Sequence, residues 1–580
     1  MVSFCIPIRY TKKGRGTIAP MQVIRSCSVT NPSPHDLKAL LLQERNLSIE
    51  EEKEFLFPSY NLGVVWDFAD MEHAVSRIKV ALDTGEHIGI YADYDCDGIP
   101  AAVLLVDLFT ALGAQDRVHV YIPDRHDEGY GLSAHGIDEL EKSNVTLIIT
   151  VDLGITALAE VADAQSRGID IIVTDHHACL STQAGDISTP LYPAAYAVVH
   201  PQKGTYHNKD LCGAGVAFMV ARAILERYGS LYGVSNGWEK WLLDLVGFAT
   251  LSDMVPLTGE NRVLAAYGLM VMKKTRRVGL QVLMAETMID IARLTETDLT
   301  FTVAPRLNAA SRMATPMLAY ELLSTKDVSR AKALVAELTK INDERKLLVA
   351  RIVKDAHHRL DVRELPPIVV IGDLTWRPAV LGLVANKLQE TYNRSFFVWG
   401  EAGDGTFKGS CRMLPIHHAA YLFQALPDTA LIHAGGHQAA GGFAVSRAQV
   451  HFLEQHLNTA AEEMPDLETK DDDVYIRVPL SIVTTRHLQM IRQFAPFGVG
   501  NREPVFLFEH ATIQSVKKFG KTKEHIECVV KDDFGTATAF TFFASAALIE
   551  KLAPEAQISF VATLEQGWRG GVRLKIKDVL

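Results

Sequence analysis

From about residue 86 the chain alternates between short apolar runs and amphipathic stretches. The runs HIGIYAD, RVHVYIP, VTLIITVD and IDIIVTDHH predict strands, and the intervening segments IPAAVLLVDLFTAL and ALAEVADAQSRG predict helices. Residues 213–228, 237–252 and 260–275 also show helical patterns. Strands that alternate with helices are typical of a doubly wound parallel sheet, so we predict an α/β domain here.

A long helix and a second alternating region follow. Residues 326–360 contain no Gly or Pro and keep a helical apolar pattern, which is typical of a helix that joins two domains. After Pro366-Pro367 the runs PIVVIGDL, RSFFVWG and GTFKGSCRM predict strands around a helix in VLGLVANKLQETY. From about residue 470 a series of short β-rich segments predicts a small barrel.

These patterns divide the 580 residues into five regions, because a chain of this length needs several cores. We expect a tail and lead-in at 1–50, an α/β domain at 51–325, a connecting helix at 326–362, a second α/β domain at 363–465 and a β-barrel at 466–580. The first twenty residues are expected to form a loose tail, so Met1 and Met21 are both candidate start residues.

Composition excludes several classes of protein. Hydrophobic residues make up 48% and charged residues 22%, as in an ordinary globular protein, and no apolar run is long enough to predict a membrane span. The seven cysteines are scattered and never spaced C-x-x-C, which argues against disulfides and zinc and favours the cytoplasm. With a net charge of −11, any nucleic-acid contact must come from local basic patches or from metal ions in an acidic pocket.

Acidic and histidine clusters stand at the ends of predicted elements. They are Asp93, Asp95 and Asp97 after one strand, Asp152 at the end of a second, Asp175, His176 and His177 at the end of a third, and Asp253 at the end of a helix. Because ligands bind at the carboxyl ends of strands in open α/β sheets, we expect these clusters to converge. So many carboxylates would repel one another unless cations neutralised them.

This ligand set predicts a centre for Mn²⁺ or Mg²⁺, since carboxylate oxygens with one or two imidazoles suit these ions. Two ions about 3.5–4 Å apart would clamp a phosphate and lower the pKa of a water towards about 7, so no Ser or Cys nucleophile is needed. The alternative is structural, because a single Asp at a strand end is usually a cap or turn residue. Four such features in one α/β domain favour metal binding.

The predicted barrel carries basic residues interleaved with aromatic ones. Around Phe519 lie Lys517, Lys518, Lys521 and Lys523, and Trp568 precedes Arg569. Such a pattern fits a surface on which bases of a single strand stack and phosphates pair with cations. A solvated hairpin with core aromatics would give the same pattern.

The series DYDCDG, VDLG, TDHH and DMVPL resembles motifs one to four of the DHH phosphoesterase superfamily. The segments YIPDRHDEGYGL, PRLNAASRM, KGSCRM, AGGHQAAGGF and FGVGNREPVF extend the resemblance to its RecJ family, over roughly residues 50–580. The resemblance implies a DHH domain, a DHH-associated domain ending in a GGH motif, and an OB-fold barrel. It also implies 5′→3′ digestion of single-stranded DNA to mononucleotides in repair and recombination, with two Mn²⁺ or Mg²⁺ ions and no ATP.

The resemblance also assigns roles by motif position. The implied metal ligands are Asp93, Asp95, Asp97, Asp152, His176 and Asp253, and the implied catalytic residues are Asp152, Asp175, His176, His177 and His437. The implied substrate contacts are Arg125, Arg306, Arg312, Ser410, Arg412, Gly435 and Gly436, joined in the barrel by Lys521, Lys523 and Trp568. Arginine suits this role because its planar fork matches a phosphate.

Some positions depart from the family pattern. Ile99-Pro100 replaces Thr-Ser, Arg377 replaces a His, and Ala379 and Ser311 replace glycines. None of these is an implied metal ligand, so the departures bear on rate, metal preference and the geometry of the second domain.

Two other functions stay open at this stage. A DHH-family oligoribonuclease or nucleotide phosphatase would use the same motifs, but such relatives usually lack the barrel. A non-catalytic replication scaffold would have lost metal ligands. For the exonuclease we expect a cytoplasmic monomer that binds single-stranded DNA, with a helicase and a single-strand binding protein as candidate partners.

Overall fold

The computed structural model describes residues 22–26, 31–184, 187–403, 405–464, 473–520, 523, 525–544, 546–567 and 570–580. The predicted loose tail, at residues 1–20, lies outside these ranges. The chain forms two compact units, one of Tyr60–Leu467 and one that combines Met1–Ser59 with Glu468–Leu580. Within the described ranges, no helix combines the length and apolar character needed to span a bilayer.

The N-terminal segment belongs to the same unit as the C-terminal region. It contains strand β1 (Gln22–Ser26) and helices α1 (Pro34–Glu44) and α2 (Ile49–Leu56). Capping boxes at Ser33 and Ser48 start the two helices. Helix α1 buries three leucines in the core of the barrel, so this segment is more than a lead-in. The predicted domain bounds themselves stay predictions.

The first α/β domain is built on a five-stranded sheet. Its elements are α3 (Met71–Thr84), β2 (His87–Ala92), α4 (Gly98–Ala111), β3 (Val118–Tyr121), α5 (Ala134–Lys142), β4 (Val145–Val151), α6 (Leu158–Ser166), β5 (Asp170–Thr174), β6 (Leu180–Ala184), β7 (Ile187–Leu191) and β8 (Ala197–Val199). The order is β3-β2-β4-β5-β8 with every pair parallel, which confirms the predicted sheet. The hairpin β6–β7 and the short strand β8 were not predicted.

Both faces of this sheet are covered, so its strands are continuous apolar runs. One core joins β2 and β4 to α3 and α4, and a second core on the other face joins β4 and β5 to α5 and α6. The hydroxyl of Ser133 accepts the N–H of Gly136 at 3.0 Å and so caps the start of α5.

Eight helices complete this part of the chain. They are α7 (Gly213–Tyr228), α8 (Leu243–Ser252), α9 (Gly259–Met272), α10 (Val278–Glu286), α11 (Glu296–Asp298), α12 (Ala304–Met313), α13 (Met317–Ser324) and α14 (Val328–Leu360). A π-helical turn, Leu299–Val303, joins α11 to α12. The predicted long helix is present as α14, with Asp327 as its N-cap.

The second α/β domain has a mixed five-stranded sheet of order β12-β13-β11-β10-β9. Its elements are β9 (Ile368–Asp373), α15 (Leu381–Tyr392), β10 (Ser395–Glu401), β11 (Thr406–Arg412), α16 (Ala419–Ala425), β12 (His433–Gly436), β13 (Ala440–Ser446) and α17 (Leu453–Glu462). Side chains of α17 cap the outer edge of β9. Asn458 bonds both the N–H (3.1 Å) and the C=O (2.8 Å) of Ile368, and Glu454 accepts the N–H of Val370 at 2.7 Å.

The C-terminal region forms the predicted barrel. Its elements are β14 (Asp473–Arg477), α18 (Thr485–Ile491), β15 (Val505–Phe519), β16 (His525–Lys531), β17 (Thr536–Thr541), α19 (Ala546–Lys551), β18 (Gln557–Gln566) and β19 (Val572–Val579). Strands β15-β16-β17-β19-β18 close through a β15–β18 pairing, as in an OB-fold. Register irregularities in β15 let this long strand bend between its two partners. Strand β14 pairs in parallel with β15, and β1 with β14.

Candidate active site and metal centre

The predicted acidic clusters meet at the carboxyl end of the parallel sheet. The loop after β2 carries Asp93, Asp95 and Asp97, while Asp152 follows β4 and the segment 175–177 follows β5. The strand order reverses between β2 and β4, which is where open α/β sheets form a ligand crevice. The topology of the sheet therefore explains why residues so far apart in sequence meet.

The loop after β2 is held in shape by its middle carboxylate. Oδ1 of Asp95 accepts the backbone N–H groups of Asp97 (2.8 Å) and Gly98 (3.2 Å), so the loop turns directly into α4. From α12, Oδ1 of Asn308 accepts the N–H of Cys96 at 3.1 Å. These bonds keep the three aspartates on one short, fixed segment.

The carboxylate of Asp97 caps helix α7. Its oxygens accept the N–H groups of Gly213 (2.5 Å) and Ala214 (2.7 Å), at the helix end where the dipole favours negative charge. Asp152 packs against the same helix start, since a methyl group on Gly213 would lie 2.5 Å from the Cβ of Asp152. Glycine at this position therefore lets the two carboxylates approach each other.

His176 lies among three of the carboxylates. Its Nε2 is 3.1 Å from Oδ1 of Asp152, 3.7 Å from Oδ2 of Asp97 and 3.8 Å from Oδ2 of Asp253, the C-cap residue of α8. Three overlapping groups have ligand atoms within 4.8 Å of one another, namely Asp152–His176–His177, Asp97–His176–Asp253 and Asp93–Asp95–Asp152. Together the groups contain all six predicted metal ligands.

The unmet bonding capacity of these side chains fits a pair of divalent cations. Among the described residues, Oδ1 of Asp93, Oδ1 of Asp152 and Nε2 of His176 are buried and find no hydrogen-bond partner. Burial and neighbouring carboxylates raise the pKa of Asp93 and Asp152 far above the usual range, that of Asp97 to about 7 and that of Asp253 to about 9. Divalent cations would remove this repulsion, and the oxygen and imidazole donors suit Mn²⁺ or Mg²⁺.

The pKa values of the two histidines are shifted in opposite directions. Burial and the charge of His177 lower the pKa of His176 to about 3, so its Nε2 lone pair is free for a cation. Burial would also lower the pKa of His177, but the hydrogen bond from Nδ1 to Oδ1 of Asp175 (2.8 Å) raises it to about 9. The hydrogen bond to Asp175 therefore favours the protonated form of His177.

Asp175 is wholly buried and bonds only to protein groups. Besides His177, its carboxylate accepts the N–H groups of His176 (2.7 Å) and Ile155 (2.9 Å). These bonds hold its pKa near 2, although burial alone would raise it. The geometry makes Asp175 a positioning residue for the two histidines, and it belongs to none of the three metal-ligand groups.

Two residues that the sequence analysis did not single out also contact this site. The hydroxyl of Tyr130 lies 3.1 Å from Nδ1 of His177 and donates to the carbonyl of Asp152 at 3.3 Å. His200, buried after β8, donates from Nε2 to the carbonyl of His177 at 2.9 Å, because its Nδ1 accepts the N–H of Gln202. Tyr130 stands in the quoted segment YIPDRHDEGYGL, whereas nothing local in the sequence marks His200.

The predicted phosphate-binding arginines of the first domain are held by contacts other than ion pairs. Arg125 lies over the ring of Tyr94 at 4.8 Å, Arg306 donates to its own helix at the carbonyl of Thr302 (2.6 Å), and Arg312 donates to the carbonyl of Ala379 (2.9 Å). None of the three makes an ion pair with a carboxylate in the described ranges. Burial and the charges of Arg125 and Arg345 lower the pKa of Arg312 to about 9.

The second α/β domain contributes Ser410 and Arg412 from β11. Both face the start of α15, where a methyl group on Gly382 would lie 3.3 Å from Nη2 of Arg412 and 3.6 Å from Oγ of Ser410. The contact between Arg312 and the carbonyl of Ala379 joins this face to the first domain. Ser410 and Arg412 therefore lie near the segment through which the second domain contacts Arg312.

The GGH segment also reaches the first domain. The pKa of His437 is lowered by burial and by the charge of His177, and His437 in turn helps to lower the pKa of His176. Gly435 and Gly436 are exposed in β12, which pairs with β13. The charges of His437 and the two DHH histidines thus act on one another, and the role of His437 stays a prediction.

The departures from the family pattern are accommodated. Pro100 is the third residue of α4 and lies in its first turn, where proline is tolerated. Ala379 supplies the carbonyl that binds Arg312, and the hydroxyl of Ser311 donates to the carbonyl of Asn308 at 3.3 Å. For Arg377, which precedes the short helical turn before α15, the structure shows no special role.

The barrel unit carries an aromatic surface group at one end. It consists of Phe519, His525, Phe542 and Phe543, whose neighbouring ring centroids are 4.7–6.0 Å apart. Phe543 is 75% exposed and Phe542 42% exposed, which favours a stacking surface over core aromatics. Lys523 lies in the turn after β15, and the predicted contacts Lys521 and Trp568 fall outside the described residues.

Comparison with known proteins identifies first the class and then the family. The model of the DHH family, N-terminal domain, matches residues 87–250, and that of the RecJ OB domain matches residues 476–578. The class is therefore a DHH phosphoesterase with an OB domain.

Named relatives then fix the family. The single-stranded-DNA-specific exonuclease RecJ of Bacillus subtilis is 33% identical over 527 residues, which cover 88% of this chain and 64% of that protein. RecJ of Dickeya dadantii is 31% identical, covering 75% of this chain and 77% of that protein. The crystal structure of Thermus thermophilus RecJ with Mn²⁺ matches with a TM-score of 0.75 and 27% identity, covering 96% of this chain and 79% of that one. The chain belongs to the RecJ family, and it spans less than two thirds of the length of the Bacillus relative.

Proposed function

We propose that this protein is a metal-dependent exonuclease that hydrolyses single-stranded DNA from the 5′ end to mononucleotides, in DNA repair and recombination. The observation that carries the proposal is the position of an acidic cluster, with buried carboxylate oxygens that find no hydrogen-bond partner, near arginines that form no ion pair among the described residues. A phosphodiester bound with two divalent cations supplies the charges that both sets of residues lack.

Each set of residues has a separate role in this proposal. Asp93, Asp95, Asp97, Asp152, His176 and Asp253 hold two Mn²⁺ or Mg²⁺ ions, which supply charge stabilisation for the phosphate and the attacking water. His177 donates a hydrogen bond from its protonated ring to a phosphate oxygen, and Asp175 keeps that ring charged and oriented.

We propose that the second α/β domain sets the 5′→3′ direction of digestion. Ser410 and Arg412 offer a hydroxyl and a guanidinium to a terminal 5′ phosphate, with Arg125 and Arg312 across from them in the first domain. His437, Gly435 and Gly436 would close over the bound nucleotide.

The barrel supports a single strand as substrate in preference to a very short RNA or a nucleotide. The aromatic surface group of Phe519, His525, Phe542 and Phe543 offers ring faces to successive bases, and Lys523 a cation to the backbone. On the same proposal the enzyme works in the cytoplasm as a monomer, with a helicase and a single-strand binding protein as partners.

The test uses 5′- and 3′-labelled oligonucleotides with Mn²⁺, Mg²⁺ or EDTA. We expect mononucleotide release from the 5′ end of single-stranded DNA only with metal, and no release by Asp152→Asn. Asp116→Asn is the matched control, because Asp116 is exposed at the opposite end of the sheet, before β3. Preferential cleavage of a dinucleotide RNA would instead indicate an oligoribonuclease, and inactivity of the wild type on every substrate would refute the proposal.

A further inference from the structure

Four cations form a basic surface around the turn that follows helix α9. Lys273, Lys274 and Arg276 are exposed in this turn, and Lys240 is exposed in the short helical turn that leads into α8. Neither Glu239, which precedes Lys240, nor any other carboxylate of the described residues forms an ion pair with these four cations. A chain with a net charge of −11 therefore has a local excess of positive charge here.

The turn itself is held in place by two carboxylates. Asp244, in the first turn of α8, accepts the hydroxyl of Thr275 at 2.6 Å and lies 3.2 Å from Nε of Arg277. Arg277 also pairs with Asp107 of α4 at 2.7 Å. Because Thr275 and Arg277 bind both carboxylates, the exposed cations of the same turn keep their charge for another partner.

Close packing of α8 and α9 fixes the position of the basic surface. A methyl group on Gly247 of α8 would lie 2.5 Å from the Cα of Gly268 of α9, so the two helix backbones are in contact. The end of α9 lies beside the start of α8, whereas the predicted ligand Asp253 is the C-cap of α8. A helix of 10 residues is about 15 Å long, so the basic surface lies away from the acidic cluster.

An exposed aromatic ring belongs to the same surface. The guanidinium of Arg276 lies 3.8 Å from the ring centroid of Trp241, which is 38% exposed, and Lys240 lies over the ring of Tyr60 at 4.9 Å. The dipole of α9 favours a cation at its carboxyl end, but Lys240 and Arg276 lie outside that helix. Cations interleaved with an exposed ring are typical of surfaces that bind a nucleic-acid strand.

We propose that Lys240, Lys273, Lys274 and Arg276 bind backbone phosphates of a nucleic-acid segment that lies outside the active site. Charge complementarity selects this occupant, because several cations on one exposed surface match the repeated charges of a polynucleotide. The choice of a nucleic acid over an acidic protein rests on the proposed function, in which the substrate is itself a DNA strand. Such a contact makes affinity depend on the length of the strand.

The experiment compares the double variant Lys274→Gln/Arg276→Gln with wild type. Arg351→Gln/Lys354→Gln is the matched control, because both residues are exposed on α14 and neither forms an ion pair among the described residues. Fluorescence anisotropy is measured with labelled oligothymidylates of four and forty nucleotides over a range of KCl. EDTA in the buffer prevents metal-dependent cleavage during the binding assay.

For the forty-nucleotide strand we expect Lys274→Gln/Arg276→Gln to bind more weakly than wild type and control. Each phosphate contact on a single strand adds about 0.7 to the slope of log affinity against log salt, so the slope of the variant should be less steep by about 1.4. The ratio of wild-type to variant affinity should therefore fall about sevenfold between 50 and 200 mM KCl. A purely structural role of the two side chains would not change this slope.

The short strand controls for the integrity of the variant. Binding of the four-nucleotide strand, and its cleavage when Mn²⁺ is supplied, should be the same in all three proteins, because this strand occupies the active site alone. Equal salt slopes of the two double variants on the forty-nucleotide strand would overturn the proposal.

An acidic protein as occupant is tested with labelled poly-L-glutamate. If Lys274→Gln/Arg276→Gln loses affinity for this polymer but keeps the wild-type affinity for the long strand, the surface binds an acidic protein and the proposal is wrong.

The same measurements separate this inference from the proposed function. A less steep slope for Lys274→Gln/Arg276→Gln, with no cleavage of any strand by wild type in Mn²⁺, would refute the exonuclease and retain the phosphate contact. Cleavage by wild type together with equal slopes would refute the contact alone.

Discussion

Asp152→Asn should stabilise the protein when metal is absent and remove most of its response to metal. The carboxylate of Asp152 is 2% exposed, one of its oxygens has no hydrogen-bond partner among the described residues, and burial and the charge of Asp97 raise its pKa. Asparagine keeps the shape of this side chain and removes its charge. The metal-free wild type therefore carries an electrostatic cost that the variant lacks.

The magnitude follows from the pH and the ordinary pKa. A carboxyl that is ionised in the unfolded chain at pH 7 and protonated in the fold costs about 1.4 kcal/mol for each pH unit above its ordinary pKa of 3.8, which is about 4 kcal/mol. The amide that Asp152→Asn introduces is unpaired, which costs about 1–3 kcal/mol and offsets part of this gain. The net gain in the free energy of unfolding is about 1–3 kcal/mol, which corresponds to a rise in Tm of a few degrees.

The pH dependence has a definite sign. A carboxyl whose folded pKa is raised destabilises the fold increasingly as pH rises above the unfolded pKa of about 4. The Tm difference between Asp152→Asn and wild type should therefore be small near pH 4 and grow towards pH 7.

Calorimetry after dialysis against EDTA, with and without 1 mM MnCl₂, measures both effects, and Asp116→Asn should match wild type throughout. With Mn²⁺ the order should reverse, because bound ions stabilise only the protein with its full ligand set. A metal-free variant less stable than wild type, or equal Mn²⁺ responses in the two proteins, would refute the assignment of Asp152 as an unneutralised ligand.

Three further outcomes are expected. Asp175→Asn should move the basic limb of the pH profile of kcat/KM from near pH 9 towards 6.5, since it removes the hydrogen bond that raises the pKa of His177; an unmoved limb would exclude His177 as the charged donor. Phe543→Ala should weaken single-strand binding about tenfold in an anisotropy assay, as expected for one lost base stack, whereas Phe534→Ala, exposed elsewhere in the barrel, should not. Asn458→Ala should lower the unfolding free energy by about 1–3 kcal/mol in a urea titration, because it exposes the edge of β9; no change would mean that this cap is dispensable.

Local patterns in the sequence sufficed to predict the frame of the metal site. Strands β2, β4 and β5 are continuous apolar runs because both faces of the sheet are covered, and each is followed at once by its carboxylates. Because ligands bind at the carboxyl ends of parallel strands, the sequence predicts that Asp93, Asp152 and His176 lie close together.

Residues whose role depends on long-range packing could not be predicted in this way. His200 bonds to the carbonyl of His177, and Asn308 fixes the loop of Cys96 from more than 200 positions away. In each case the side chain contacts elements that are distant in sequence, so its role cannot be recognised from the local pattern.

Net charge also conceals the chemistry of the site. A chain with a net charge of −11 repels DNA on average, yet the charges that matter are separated into two adjacent sets. Within the described residues neither Asp93 nor Arg312 forms an ion pair, although the charge of Arg125 acts on Asp93 and that of Asp95 acts on Arg312. Backbone contacts keep the two sets apart. Arg312 donates to a carbonyl of the second domain, and Asp97 accepts N–H groups at the start of α7. On the proposed function, a phosphate and its metal ions together supply opposite charges to the two sets, which couples the binding of substrate to the binding of metal.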